Sequence, residues 1–321
     1  MNDDFTDKFD RGKRVKEIVK SIPSVISTST QEAAFDALED ALNAIEKEGK
    51  LESQPVKEAI ENIAGDIIEN QNACLKLIPL RVLDDYIFTH SVNVAILSVY
   101  TGVRLNFPKE KVEELGVGAM LHDIGKAWVP KEILKKRERL TGAEFEKVKK
   151  HAEFGYKLLA TDPKITEAQK RIAYYHHEKY NGQGYPKGLK GDEIDDFTAI
   201  VALSNAYDAL ASDRAYRKKL PPYEVMRRII MGISVDFPPK IAEGFMNNMS
   251  LYPPESIVKL NTGETGMVVR SNPTSLIRPV IRLLTDKDGH PLDATQDIDL
   301  SVDLTRFIRE VVKDTDSVLK T

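Results

Sequence analysis

The sequence predicts a mainly α protein that closes with a small β-containing extension. Three observations predict it. Apolar residues recur at helical spacing through the first eighty residues, as in Phe35, Leu38, Leu42 and Ile45. The same reading holds through the middle of the chain, where the run Phe197 to Ala211 is nearly all apolar or small. After Pro253-Pro254 the period shortens to β-like runs separated by turn signals. These changes divide the chain into residues 1–79, 80–252 and 253–321.

In the first region, Ser29-x-x-Glu32 has the pattern of a capping box, and Gly49 gives a helix stop. A second helix follows Pro55, with Val56, Ile60, Ile63 and Ile67 on one face. These stripes require a partner surface. It is either the body of the protein, with the helices as a cap, or a second copy, which makes a homodimer through the N-terminal helices. In the second region, Thr141-x-x-Glu144 caps a helix that contains His151. Ala168 to Glu178 reads as a helix ending in His176-His177. Asn181 to Gly191 holds four glycines and a proline and reads as a loop. The third region offers strands at Ile257–Leu260, Gly266–Arg270 and Pro279–Leu284, then an amphipathic helix around Leu304–Val312.

The bulk composition narrows the classes of function. With 41% hydrophobic and 30% charged residues, the chain reads as soluble and globular. A net charge of -4 argues against a broad surface for nucleic-acid polymer. The single cysteine, Cys74, excludes an internal disulfide and fits a reducing cytoplasm. The polar N-terminus lacks an apolar signal core, and no stretch approaches the ~20 apolar residues of a membrane span.

The chemistry lies in the histidines. Five of the six, His90, His122, His151, His176 and His177, fall in one interval, and Asp123 follows His122. A single half-buried histidine is ordinarily a hydrogen-bonded core residue, whereas five together point to a site. Imidazoles with a carboxylate suit iron, manganese, zinc or nickel. Asp123 can bridge two cations, and a bridged pair about 3.5–4 Å apart is a common device for phosphate-ester hydrolysis. His176 and His177 point about 100° apart on a regular helix, so both reach one metal only at a helix end. Otherwise one binds and the other supports it. His290 sits in the turn Asp286-Lys-Asp-Gly-His and reads as a solvated loop residue.

Taken together, these motifs resemble the HD-GYP phosphodiesterases, a bacterial branch of the HD metal-dependent phosphohydrolases. The resemblance covers residues 80–250. It rests on His90-Ser-Val-Asn-Val-Ala, His122-Asp-Ile-Gly-Lys126, Leu140-Thr-x-x-Glu-Phe with His151, His176-His-Glu with Gly184-Tyr-Pro186, and Tyr207-Asp-Ala-Leu-x-Ser-Asp-Arg214 with Tyr216-Arg217. It implies an HD-type helical bundle and hydrolysis of cyclic di-GMP to pGpG, and in many members on to GMP, without a covalent enzyme intermediate. It also implies two divalent metal ions, with iron or manganese preferred because the donor set lacks thiolate. One ion takes His90, His122 and Asp123; the other takes Asp123, His151, His176 and His177. Lys126 lies beside the scissile phosphate, while Tyr185, Lys187, Arg214 and Arg217 hold phosphates or guanines.

Two departures accompany the resemblance. Asn205 stands where the family has a metal-binding Asp, so it enters the ligand set as a neutral, weaker donor. Asp208 aligns with the family's second Asp and points elsewhere on the helix. Members with three metals carry a Glu where this chain has Tyr86, with Asp85 one position off, so a third ion is not expected. Asn205 favours an alternative function, a degenerate cyclic di-GMP sensor with weak or no turnover. A docking protein for a diguanylate cyclase of the GGDEF type is a further alternative. A hydrolase of another nucleotide is the last, and the Gly-Tyr-Pro loop argues against it.

Overall fold

The structure, a computed structural model, describes residues 25–70, 86–134, 136, 138–212, 220, 222–246, 251–252, 254–272, 275–292, 294 and 296–312. The expectations for Cys74, Asp85, Arg214 and Arg217, and for the Tyr86 side chain, lie outside these residues.

The chain begins with α1 (Thr28–Glu48) and α2 (Gln54–Glu69). Gly49 ends α1 with φ 69°, a left-handed conformation that glycine adopts without steric cost. The N-cap is Ser27 rather than Ser29. Its hydroxyl accepts the Thr30 amide at 3.0 Å, so the helix starts two residues before the expected box. The α1 and α2 stripes are buried within the chain, with Leu38 and Ile45 at 2–3% exposure and Val56, Ile60, Ile63 and Ile67 at 0%. They share one core with the central helices. The two helices are therefore a cap on the bundle, and the faces on which the homodimer expectation rested are already covered.

The bundle proper contains α3 (Tyr86–Arg104), α4 (Lys109–Met120), a 3-10 turn (Ile124–Trp128), α5 (Lys131–Leu134), α6 (Gly142–Lys149), α7 (His151–Leu159), α8 (Glu167–Tyr175), α9 (Asp196–Ala211), α10 (Pro222–Met231) and α11 (Pro239–Met246). Helix α9 is apolar all round over Ala199–Leu203 and is buried there, packed on α3. A Cβ on Gly116 in α4 would collide with Ile60 and Val99, so glycine there lets α2, α3 and α4 close on one another.

Two sequence expectations change in this region. The Thr141–Glu144 capping box forms in full, yet the helix it starts ends at Lys149, and His151 opens a separate helix. The Lys150 amide bonds back to the Lys147 carbonyl at 3.3 Å, one residue short of the α pattern. Helix α8 ends at Tyr175, and His176 is its C-cap.

The third region is a five-stranded antiparallel sheet. Its strands are β1 (Ile257–Leu260), β2 (Thr265–Asn272), β3 (Ser275–Leu283), β4 (Asp297–Asp299) and β5 (Ile308–Val311), in the order β4-β3-β2-β1-β5. Val258, Leu260, Val268, Ile281, Leu283, Ile298 and Leu300 form its own small core. The amphipathic helix expected around Leu304–Val312 is instead strand β5. The free edge of β1 takes it up, and Leu304 and Phe307 remain 68% and 52% exposed. His290 is exposed in its turn, where Asp286 accepts its backbone amide at 2.8 Å.

Candidate metal centre

Four helices bring the five histidines and Asp123 to one point. His90 comes from the first turns of α3, His122 and Asp123 follow α4, His151 opens α7, and His176 and His177 close α8. The 3-10 turn fixes the approach of Asp123 to α7. A Cβ on Gly125 would run into the His151 carbonyl and the Gly155 backbone, so the turn and helix meet through two glycines. His90, His122, Asp123, His151 and His176 are each no more than 3% exposed.

The hydrogen bonds determine how the imidazoles face. His122 Nδ1 donates to the Ala119 carbonyl and His151 Nδ1 to the Val148 carbonyl, both at 2.7 Å. His176 Nδ1 donates to the Ile172 and Ala173 carbonyls at 3.2 and 3.1 Å. A carbonyl only accepts, so each Nδ1 carries the proton and each Nε2 presents a lone pair inward. His151 Nε2 and His176 Nε2 then face each other at 3.2 Å, lone pair to lone pair. His122 Nε2 and Asp123 Oδ1 are buried and have no hydrogen-bond partner among the described residues. Such groups are costly unless a cation satisfies them.

Asp123 divides the cluster in two. Its Oδ2 lies 3.3 Å from His122 Nε2 and 3.9 Å from His90 Nε2. Its Oδ1 lies 3.4 Å from His151 Nε2 and 3.7 Å from His176 Nε2. Two donor groups result, His90-His122-Asp123 and Asp123-His151-His176-His177, and each is compact enough for one metal ion. The donor chemistry fits a pair of divalent cations bridged by one carboxylate.

The charges suit this role. Burial alone would raise the Asp123 carboxyl, but Lys126, hydrogen-bonded to Oδ2, and His122 outweigh it and hold the group well below the usual carboxylate range. Burial pushes His151 down to about 3 against the pull of Asp123, and it also lowers His176 and His177. These imidazoles are thus neutral donors at working pH.

A pH dependence follows for the metal-free protein. Unfolded, His151 takes up a proton below its ordinary 6.5; folded, it stays neutral down to about 3. Stability is therefore fully present above 6.5 and lost as pH falls below it. The melting temperature of metal-free protein should drop between about pH 7 and pH 5, and less steeply in His151→Gln. An equally steep drop in the variant would show that other groups control it.

Asn205 and Asp208, three apart on α9, meet the same ring, so Asp208 turns to the centre rather than elsewhere as expected. Asn205 Oδ1 is 3.0 Å from His90 Nε2, and Asp208 Oδ2 accepts from His90 Nδ1 at 2.7 Å. Tyr185 stacks on His177 with ring centroids 4.6 Å apart, and Lys149 lies over the Tyr185 ring at 5.3 Å. Burial raises the Tyr185 hydroxyl above its usual value, so it stays protonated. Lys187 is not brought to this cluster. Its ammonium lies 6.0 Å from the Tyr174 ring, in an outer cleft lined by residues of α7 and α8. The loop turns that side chain outward because its amide is held from within.

The group that holds it is Glu178, which sequence reasoning passed over. It is 3% exposed and accepts the amides of Lys187, Gly188 and Leu189 at 2.6, 3.1 and 3.0 Å. A Cβ on Gly184 would strike the Glu178 and Lys179 backbone, so the loop lies directly on this strut. Glu178→Ala should strip partners from three amides and cost about 2 kcal/mol or more in urea unfolding. An unchanged unfolding midpoint would remove Glu178 from this role.

Fold and site define an α-helical bundle with a buried histidine–carboxylate centre and a small appended sheet. The chain belongs to the HD domain family, whose profile matches residues 66–232. Residues 257–318 match the KOW domain associated with HD domain. Over 233 residues the chain is 31% identical to a cyclic di-GMP phosphodiesterase of Pseudomonas aeruginosa, covering 73% of this chain and 56% of that protein. Over 212 residues it is 30% identical to a cyclic di-GMP phosphodiesterase of Borreliella burgdorferi, covering 66% and 55%. The chain thus spans just over half the length of these curated relatives. An HDG"Y"P protein from Bdellovibrio bacteriovorus has a similar fold, with TM-score 0.55 and 22% identity over 67% of this chain and 69% of that one.

Proposed function

We propose that the chain is a two-metal phosphodiesterase that hydrolyses cyclic di-GMP to pGpG and on to GMP. The observation that carries this reading is the division of Asp123, with one oxygen turned to each of two histidine groups. The substrate is read from the Gly184-Tyr-Pro186 loop beside the cluster and from the names of the relatives. His90, His122, Asp123 and Asn205 would hold one ion, and Asp123, His151, His176 and His177 the other. Iron or manganese suits donors that are rich in imidazole and free of thiolate. When bound, the ions supply Lewis-acid stabilisation of the charge that builds on the phosphoryl and leaving oxygens.

The chain's own residues do the rest. Lys126 sets an ammonium against Asp123, half-buried, where it holds the bridging carboxylate ionised and stands ready for a phosphate oxygen. Tyr185, protonated and stacked on His177, offers a ring face and a hydroxyl donor to the substrate. Arg214 and Arg217 are assigned to phosphate or guanine through the sequence motif that carries them. The proposed setting is the cytoplasm, on the ground of a single cysteine. Among the described residues no helix is long and apolar enough to cross a membrane.

A second reading, a sensor with weak turnover, is favoured by Asn205, which puts a neutral oxygen against His90. Separation of products after incubating metal-loaded protein with cyclic di-GMP tests both. The phosphodiesterase reading expects pGpG and then GMP, lost with chelator and restored by metal. Tight binding without product establishes the sensor. Neither binding nor product would overturn both.

A further inference from the structure

We infer that Asp208 is the positioning residue of the His90 group, fixing that imidazole and lending negative charge to the ion it would hold. The inference rests on the two-metal reading above.

Asp208 is 1% exposed. Its Oδ2 accepts from His90 Nδ1 at 2.7 Å, and its Oδ1 accepts from Asn93 Nδ2 at 2.9 Å and Ser212 Oγ at 3.1 Å. No lysine or arginine pairs with it among the described residues. Taking a carboxylate out of water is expensive, and hydrogen bonds offset only part of that cost. A cation beyond the imidazole would offset more. A carboxylate behind a metal-binding histidine fixes the ring, sets the proton on the rear nitrogen and makes the forward nitrogen a stronger donor.

The neighbouring position makes this contribution matter here. Asn205 and Asp208 lie one turn apart on α9 and face the same imidazole at its two nitrogens, Asp208 accepting from Nδ1 and Asn205 lying beside Nε2. Asn205 is neutral. Among the described residues the other carboxylate of this group is Asp123, which the second group shares through its other oxygen. Among the described residues, the negative charge that belongs to this ion alone therefore comes from Asp208, acting through His90.

Equilibrium dialysis of the full chain with Mn2+ tests this on wild type, Asp208→Asn, and the double variant Asp208→Asn with Asn205→Asp. Two ions are expected in wild type. Asp208→Asn should weaken one of them by about 10–100-fold and leave the other unchanged. The double variant should restore it, because the carboxylate returns on the other side of the ring. Ser212→Ala only loosens Asp208, so it should weaken the same ion by a smaller factor; it serves if Asp208→Asn does not fold. Unchanged affinities overturn the inference. So does an equal weakening of both ions without rescue, which marks a purely structural role. Fewer than two ions in wild type would instead remove the two-metal reading, and this inference with it.

Discussion

Asp123→Asn should release both metal ions in one step and lower cyclic di-GMP turnover by at least about a thousandfold. One side chain has this reach because its two oxygens serve two groups. The amide is neutral and offers one good donor atom, so it cannot bridge. Lys126, now hydrogen-bonded to Asp123, would be left as an uncompensated charge that repels cations from the centre. Each lost ion removes several kcal/mol of charge stabilisation, and each 1.4 kcal/mol is about a factor of ten in rate. His151→Ala makes the contrast. It touches the second group alone, so it should loosen one ion and leave the other. Elemental analysis of both variants checks this, and retention of one full equivalent in Asp123→Asn would show that the carboxylate does not bridge.

Asn205→Asp should act in the opposite direction. The new carboxylate would face His90 Nε2, where Asn205 Oδ1 now sits at 3.0 Å. It adds charge to the more weakly provided group and should tighten that ion by about tenfold or more, in the range that changes around metal ligands produce. A more negative shell also makes water at the centre less acidic and its anion more nucleophilic, so the intrinsic rate has two opposed inputs. Occupancy should dominate, since loss of one ion removes the two-ion clamp. Turnover after dialysis is expected to rise more than turnover with metal in excess. If neither retention nor turnover changes in either condition, Asn205 does not face an ion.

Much of this arrangement is legible in the sequence, because helical period and histidine spacing are local signals. The five histidines and Asp123 converge, and the run Phe197–Ala211 lies in helix α9, which is buried over Thr198–Ser204 and half-buried over most of the rest. Other features depend on distant partners. The break at Lys150 goes with the meeting of Gly125 and α7, and no local pattern announces that contact. Leu304–Val312 has an amphipathic spacing, but the open edge of β1 decides its conformation. The cap on α1 slipped to Ser27 because several hydroxyl residues stand in a row there. Asp208 and Glu178 left a usable signal. One is a carboxylate inside a helix rich in apolar residues, and the other directly follows the paired histidines. In both places burial demands partners, and the partners are the imidazole and the loop.

The most direct test of the account is a titration of metal-free protein with Mn2+ or Fe2+, with cyclic di-GMP turnover followed at each addition. The account predicts two equivalents bound per chain and turnover that appears only as the second is taken up. Turnover that saturates at one equivalent, or two bound equivalents with no turnover at all, would contradict it.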